Sequence, residues 1–241
     1  FDIGQVSCRG VVGRGRHAGT LYVLAIHATG WKQALLGQVF VQGLRGCLVQ
    51  RLTPFATRVH IDISDGEFAP TFLIGAEQLS WPGTWQVDVH AMVARPSEHL
   101  EKLISLKPAT IIIHAEVTEN VAVHLQKIRQ AGIRAGVALL KTTVPSTVAE
   151  AIKAADHVMI FSGELGKYGG QASMMQTEKI RLIRAINPSV EIGWDGGVNV
   201  SNAYNISQAG VNVLNVGGAI ATSDNPAGTY EALTKEINKR G

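Results

Sequence analysis

Four side chains that could bind a metal ion occur on three short segments with the alternation of a β-strand. In VHIDIS and WQVDVHAM, apolar residues alternate with polar ones, and VEIGWDGG ends in a carboxylate followed by two glycines. Two imidazoles and two carboxylates supply nitrogen and oxygen ligands that suit one divalent cation. The predicted ligands are His60, Asp62, His90 and Asp195.

Each of these residues also has a structural interpretation when it is taken alone. His60 and Asp62 could form a hydrogen-bonded pair on one strand, His90 could be a core histidine, and Asp195 could belong to a turn. All four, however, lie toward the carboxyl ends of three strands, which is where parallel α/β barrels carry their chemistry. Their joint occurrence therefore favours a metal site.

A fourth strand-like segment, IIIHAEV, repeats the spacing of a histidine and an acid. His114 and Glu116 could orient the metal ligands through hydrogen bonds, or they could be a pair buried for packing. Met92 lies on the same strand face as His90 and is a candidate for contact with a substrate.

Glycine-rich turns in the second half of the chain indicate a phosphate site. Glycine lets backbone N–H groups approach an anion closely, and α/β barrels frequently bind phosphate with the loops after strands seven and eight. The turns read GKYGGQ, DGG and GGAI. The candidate residues are Gly169, Gly170, Gly196, Gly197, Gly217 and Gly218.

The segments that carry these residues belong to a regular alternation of strands and helices. The sequence predicts strands at residues 58–64, 85–92, 110–117, 134–140, 157–162, 190–195 and 211–217. It predicts helices at 38–52, 97–106, 119–131, 146–154, 177–186, 201–209 and 226–239. Strict alternation of this kind implies a parallel sheet, and one more strand near the N-terminus would close an eight-stranded TIM (β/α)8 barrel. That strand could lie at 21–28 or at 33–36.

Composition excludes several other classes of protein. The 241 residues are 46% hydrophobic and 17% charged, with a formal charge of +3. This balance argues against disorder and against nucleic-acid binding. Two cysteines provide no disulfide framework, and no apolar run approaches the roughly 20 residues of a membrane span. We therefore expect a cytoplasmic protein with no membrane partner.

The motifs resemble those of the ribulose-phosphate 3-epimerases. VHIDISDGEFAP, VDVHAMV, IIIHAEV, GWDGGVN and VGGAI are similar to that family's motifs in order and spacing, from about residue 51 onward. The resemblance implies that the first strand lies at 33–36. Residues 1–31 would then form an N-terminal extension, and residues 32–241 the catalytic barrel.

The resemblance also implies an activity. A metal-dependent isomerase would interconvert D-ribulose 5-phosphate and D-xylulose 5-phosphate, an interconversion that belongs to the pentose phosphate pathway. Asp62 and Asp195 would exchange the C3 proton through an enediolate that the ion stabilises. The resemblance implies one divalent ion per chain, Zn²⁺ first and Fe²⁺, Mn²⁺ or Co²⁺ as alternatives. It also implies a homo-oligomer.

Several positions depart from the family pattern. Ser64 stands where the family has methionine, and Leu140 and Lys141 stand where it has Asn-Pro; Lys141 could reach a substrate oxygen or point to solvent. The loop after strand six, SGELGKYGGQ, keeps only the Gly-Gly-Gln end of the family's motif. Two alternatives therefore stay open: an epimerase of another ketose phosphate, such as a hexulose 6-phosphate, or a phosphosugar-binding barrel without catalysis.

Overall fold

Eight parallel strands form a closed barrel. The computed structural model describes residues 20–23, 49–165 and 170–239. Each strand pairs with the next one along the chain, and the last pairs with the first. The strands are β1 (Thr20–Val23), β2 (Arg58–Ser64), β3 (Gln86–Met92), β4 (Thr110–His114), β5 (Arg134–Leu139), β6 (His157–Phe161), β7 (Glu191–Asp195) and β8 (Val213–Val216). The predicted TIM barrel is confirmed.

Helices alternate with the strands from β3 onward. The α-helices are α1 (Ser97–Ser105), α2 (Val121–Gln130), α3 (Ala149–Ala154), α4 (Glu178–Ile186), α5 (Ala203–Gln208), α6 (Gly218–Ala221) and α7 (Pro226–Ile237). Short 3₁₀ helices occupy Ala76–Gln78, Pro145–Val148 and Met174–Thr177. Of the helix predicted at 38–52, residues 49–52 are described and are helical. Within the described ranges, no helix has both the length and the apolar character needed to cross a bilayer.

The first strand is not where the resemblance put it. Thr20–Val23 pairs with β8 over four residues and with β2 at Val23, so it closes the barrel. The prediction of a strand at 33–36 is therefore wrong for this position in the barrel; residues 33–36 themselves lie outside the described residues. The competing segment, 21–28, overlaps the strand that is present. Part of the predicted N-terminal extension thus belongs to the barrel.

The strands are buried on both faces, which explains their apolar character. Outward-facing residues such as Val59, Ile61 and Ile63 belong to the main core between sheet and helices. Inside the barrel, a smaller apolar cluster is formed by Ile112, Ala138, Met159 and Phe161. Full burial of side chains of this size contributes roughly 1.5–3 kcal/mol each. Polar residues at the remaining inward positions must therefore have partners.

At the amino-terminal end of the barrel, the inward-facing polar residues pair with charged side chains. Arg58 Nη2 lies 2.8 Å from Asp88 Oδ2 and 3.3 Å from Glu191 Oε2. The same Glu191 oxygen lies 3.0 Å from Arg134 Nη2 and 2.8 Å from His157 Nδ1. Glu191 therefore links the first residues of strands β2, β5 and β6.

Candidate functional site

The parallel register of β2 and β3 brings predicted ligands from two strands together. Asp62 pairs with His90, and Ser64 pairs with Met92. Asp195 is the last residue of β7, at the same end of the barrel. The spacing of two residues along each strand keeps the polar side chains on the inner face.

The four predicted ligands converge. One ligand atom from each of His60, Asp62, His90 and Asp195 lies within 4.8 Å of those from the other three. Asp62 Oδ1 is 3.2 Å from His60 Nε2 and 2.8 Å from His90 Nδ1. His60 Nε2 is buried, and its contact with Asp62 Oδ1 is not aligned as a hydrogen bond. A buried nitrogen of this kind needs a partner, and a divalent ion among two imidazoles and two carboxylates would supply one.

Burial and contacts shift the pKa values of the two carboxyl groups in opposite directions. Burial disfavours ionised Asp62, but its hydrogen bond with His90 and its close contact with His60 outweigh burial and hold its pKa well below the ordinary value. Burial, together with the charge of Asp62, raises the pKa of Asp195. Two carboxyl groups with separated pKa values can take opposite parts in a proton transfer.

The two imidazoles behave differently as well. Burial opposes protonation of His60, yet its close contact with Asp62 and the charge of that carboxylate outweigh burial, so the pKa of His60 is raised. Burial lowers the pKa of His90, and the neighbouring histidines add to this effect. His90 is thus the imidazole that more readily stays neutral, which is the form that binds a metal ion.

A chain of side chains extends outward from His90. Its Nε2 lies 2.9 Å from His114 Nε2, and His114 Nδ1 lies 3.1 Å from Glu116 Oε2. The other Glu116 oxygen accepts hydrogen bonds from Leu140 N, at 2.8 Å, and from the Thr143 hydroxyl. His114, the last residue of β4, and Glu116, in the turn after it, are therefore connected by hydrogen bonds to the predicted ligand His90 on β3.

For Lys141, the prediction left open whether the side chain reaches a substrate oxygen or points to solvent. Its side chain is exposed, and its carbonyl oxygen accepts a 3.2 Å hydrogen bond from Lys179. The Lys179 ammonium also donates to Leu140 O at 2.6 Å. A lysine does hold the end of β5, but it comes from helix α4. No motif in the sequence singles out Lys179 from the other cations of that helix.

A cavity of about 410 Å³ is lined by the two carboxylates of the four ligands, Asp62 and Asp195. Met92 lines it as well. The predicted phosphate residues that line it are Gly170, Gly196, Gly197, Gly217 and Gly218. Gly169 lies outside the described residues. Helix α6 begins at Gly218, so its first N–H groups have no acceptor within the helix.

Gly196 and Gly197 also have a structural reason to be glycine. Both have positive φ, at 102° and 73°. A Cβ on Gly196 would lie 2.2 Å from Gly163 N, and one on Gly197 would lie 2.1 Å from Ala172 N. Because neither glycine has a Cβ, the backbone at both ends of the loop after β6 can pack directly against this pair.

Asn215 belongs to none of the motifs that indicate a site in the sequence. This residue pairs in register with Asp195, is 5% exposed, and places its Nδ2 3.3 Å from His60 Nδ1. The alternation of VNVLNVG could have assigned Asn215 to the inner face. Nothing in that pattern identifies His60, which is 155 residues away, as its partner.

Fold and site together define a class. A parallel α/β barrel with acids, imidazoles and glycine turns around a cavity at the carboxyl ends of its strands is the architecture of a barrel enzyme. A sequence model of the ribulose-phosphate 3 epimerase family matches residues 46–221. The chain belongs to this family and is an epimerase, as predicted.

Individual relatives support this assignment. The cytoplasmic isoform of ribulose-phosphate 3-epimerase from Oryza sativa subsp. japonica is 33% identical over 187 residues, which cover 74% of this chain and 82% of the relative. The enzyme from Aquifex aeolicus is 31% identical, with coverage of 67% and 76%. A Mycobacterium tuberculosis tryptophan synthase structure has a TM-score of 0.65 at 12% identity, covering 93% of this chain and 94% of its own, and so supports the fold alone.

Proposed function

We propose that this epimerase interconverts D-ribulose 5-phosphate and D-xylulose 5-phosphate. The observation that carries the proposal is the pair of carboxyl groups, Asp62 and Asp195, in a cavity that is also lined by glycine turns. The relatives named above carry the name of this activity.

Asp62 and Asp195 would be the two acid–base groups. They belong to β2 and β7, with β8 and β1 between them, so their side chains reach the cavity from different directions. One carboxylate would remove the C3 proton from one face of the sugar, and the other carboxyl group would return a proton to the opposite face. The roles would reverse with the direction of the reaction, and both groups must therefore be able to hold a proton.

The four convergent ligands would hold one divalent ion, with Zn²⁺ as the first expectation. When bound, such an ion would stabilise the negative charge that develops on neighbouring substrate oxygens as the C3 proton leaves. His114 and Glu116 would keep the His90 imidazole in the orientation in which Nδ1 faces the ion. Their hydrogen bonds of 2.9 and 3.1 Å support this role.

The glycine turns would bind the substrate phosphate. Gly170, Gly196 and Gly197 lie on one side of the cavity lining, with Gly217 and Gly218 from the turn after β8. Backbone N–H groups in such turns can surround an anion without a cationic side chain. Met92 would form an apolar wall beside the reacting carbons. Homo-oligomeric assembly and a cytoplasmic location remain predictions.

Proton exchange at C3 tests this proposal directly. Metal-loaded protein is incubated with D-ribulose 5-phosphate in D₂O and followed by proton NMR, beside Asp195→Asn protein and an Asp224→Asn control on the exposed surface. We expect deuterium at C3 and D-xylulose 5-phosphate with the unchanged protein and the control, and loss of both with Asp195→Asn. Absence of exchange in a folded, metal-bound sample would refute the pentulose assignment.

One observation favours a second substrate. Ser64, a small polar residue buried in the cavity wall, leaves more room there than a long apolar side chain would. A hexulose 6-phosphate has one more hydroxymethylene group to accommodate. A parallel exchange assay with a hexulose 6-phosphate decides between the two: a higher kcat/KM for the longer ketose would identify it as the preferred substrate. Exchange with neither ketose would indicate that this epimerase acts on another ketose phosphate.

A further inference from the structure

In each imidazole of the site, the ring nitrogen that faces away from the site centre contacts another side chain. That side chain differs between the two histidines. His90 Nε2 contacts His114 Nε2, whereas His60 Nδ1 contacts the side-chain amide of Asn215 at 3.3 Å. His60 is 1% exposed and Asn215 is 5% exposed. Water therefore has little access to either group, and the amide contact must set the state of the imidazole.

We infer that Asn215 is a positioning residue that selects the metal-binding tautomer of His60. This inference rests on the metal site of the proposed function. It concerns a residue outside the four ligands, on a strand that carries none of them. Asn215 would act through His60 rather than by contact with the ion.

The tautomer requirement follows from the ring geometry. Asp62 Oδ1 lies near His60 Nε2 and near His90 Nδ1, so these are the two nitrogens that face the site centre. A nitrogen that binds a metal ion carries no proton, and the second nitrogen must then be an N–H donor. On His90, that N–H can donate to His114 Nε2, while His114 Nδ1 donates to Glu116. On His60, the Nδ1–H has to find its acceptor at Asn215.

An amide can meet this requirement in one of its two orientations. Asn215 Nδ2 faces His60 Nδ1, an arrangement suited to the tautomer with its proton on Nε2. Rotation of the amide by half a turn presents Oδ1 to Nδ1–H without changing the volume of the side chain. The metal-bound protein thus requires the orientation in which Oδ1 accepts from His60 Nδ1–H.

The other contacts of Asn215 do not explain its burial. Within the described residues, its amide has one further hydrogen-bond contact, a 3.3 Å approach of Nδ2 to Met159 Sδ. A thioether sulfur is a weak acceptor. Burying an amide without a good partner is unfavourable. His60 is therefore the partner that justifies an amide at this position.

Two substitutions separate the positioning role from packing. Asn215→Leu keeps the approximate size of the side chain and removes the acceptor. Asn215→Asp keeps an acceptor toward Nδ1–H in either orientation. Met159→Leu is the matched control, because it changes the apolar neighbour of Asn215 inside the same part of the barrel and leaves the amide in place.

The experiment measures metal affinity without substrate. Apo-protein is titrated with Co²⁺ by its visible absorption and with Zn²⁺ in competition with a chelator, and the melting temperature of each apo-protein verifies folding. Loss of a partner of a metal-bound histidine typically weakens affinity 10–100-fold. We expect that loss for Asn215→Leu, affinity within about threefold of the unchanged protein for Asn215→Asp, and no comparable loss for Met159→Leu.

The outcomes distinguish this inference from the metal site itself. Tight binding by the unchanged protein and equal binding by a folded Asn215→Leu protein would overturn the role of Asn215 and leave the metal site intact. Equal weakening by the Leu and Asp variants would also overturn it, because a retained acceptor would then be irrelevant. Failure of the unchanged protein to bind either ion would instead refute the proposed metal site, and with it the basis of this inference.

Discussion

Glu191 lies at the base of the barrel, on the opposite end from the site, and its substitution should reduce stability in a pH-dependent way. Burial alone would raise the pKa of its carboxyl group. The hydrogen bond with His157 and the charges of His157, Arg58 and Arg134 outweigh burial and lower that pKa from 4.5 to about 2. At 1.36 kcal/mol per unit, this shift corresponds to about 3 kcal/mol. We therefore expect Glu191→Gln to lower the free energy of unfolding by about 3 kcal/mol at neutral pH.

The sign of the pH dependence follows from the depressed pKa. Because Glu191 holds its proton less tightly in the folded than in the unfolded protein, its stabilisation is complete above about pH 4.5 and is lost as the pH falls toward about 2. Urea unfolding of the unchanged and Glu191→Gln proteins at a series of pH values measures the difference. It should shrink steadily across this window.

A matched substitution controls for the chemical change itself. Glu150 is an exposed glutamate paired with Lys153 on the same helix, so Glu150→Gln should have little effect at any pH. A difference between Glu191→Gln and the unchanged protein that stays constant from neutral to acidic pH would refute the reasoning. In that case, packing and not charge would determine the contribution of Glu191.

Three further predictions concern the site. Gly197→Ala should lower the free energy of unfolding by more than Gly132→Ala. Both glycines have a similar positive φ, which costs an alanine about 1–2 kcal/mol, but of the two only Gly197 has backbone atoms within 3 Å of an added Cβ. Urea unfolding of the two variants therefore isolates the cost of that clash. Glu116→Gln should weaken Zn²⁺ binding about tenfold in chelator competition because the chain through His114 loses its charge; unchanged affinity would make that chain a packing feature. Zn²⁺ at about 1,000 times its Kd should raise the free energy of unfolding by about 4 kcal/mol, and no rise in melting temperature on metal addition would contradict a site formed only in the folded protein.

Much of the fold could be predicted because local pattern and tertiary structure agree. Every strand predicted from residue 58 onward is present, and buried apolar runs bounded by glycines are strong local signals. The first strand shows the limit of this reasoning. Spacing taken from a resemblance favoured 33–36, whereas pairing with β8 and β2 selects Thr20–Val23, and no local pattern encodes that pairing.

The residues of the site also form two groups, one that could be predicted from the sequence and one that could not. His60, Asp62 and His90 could be predicted because alternation fixes the face of a strand on which each lies, and barrel topology then brings the strands together. Asn215 and Lys179 could not, since their partners are distant in sequence and their residue types carry no signal by themselves. For Lys141 the sequence left two alternatives open, and the structure agrees with the second: its side chain is exposed to solvent while its carbonyl oxygen is bonded.

The loop after β6 is anchored at both ends to the same short stretch of structure. Ser162 N donates to Asp195 O at 2.7 Å, and Ser162 Oγ accepts from Ser173 N at 2.7 Å. The glycine pair after β7 packs against both ends of the loop. The contacts at the two anchor points therefore do not involve the residues between them. A change of the residues between these anchors should therefore leave Asp195 and the glycine pair in place. The departures of SGELGKYGGQ from its family's motif fall between these anchors.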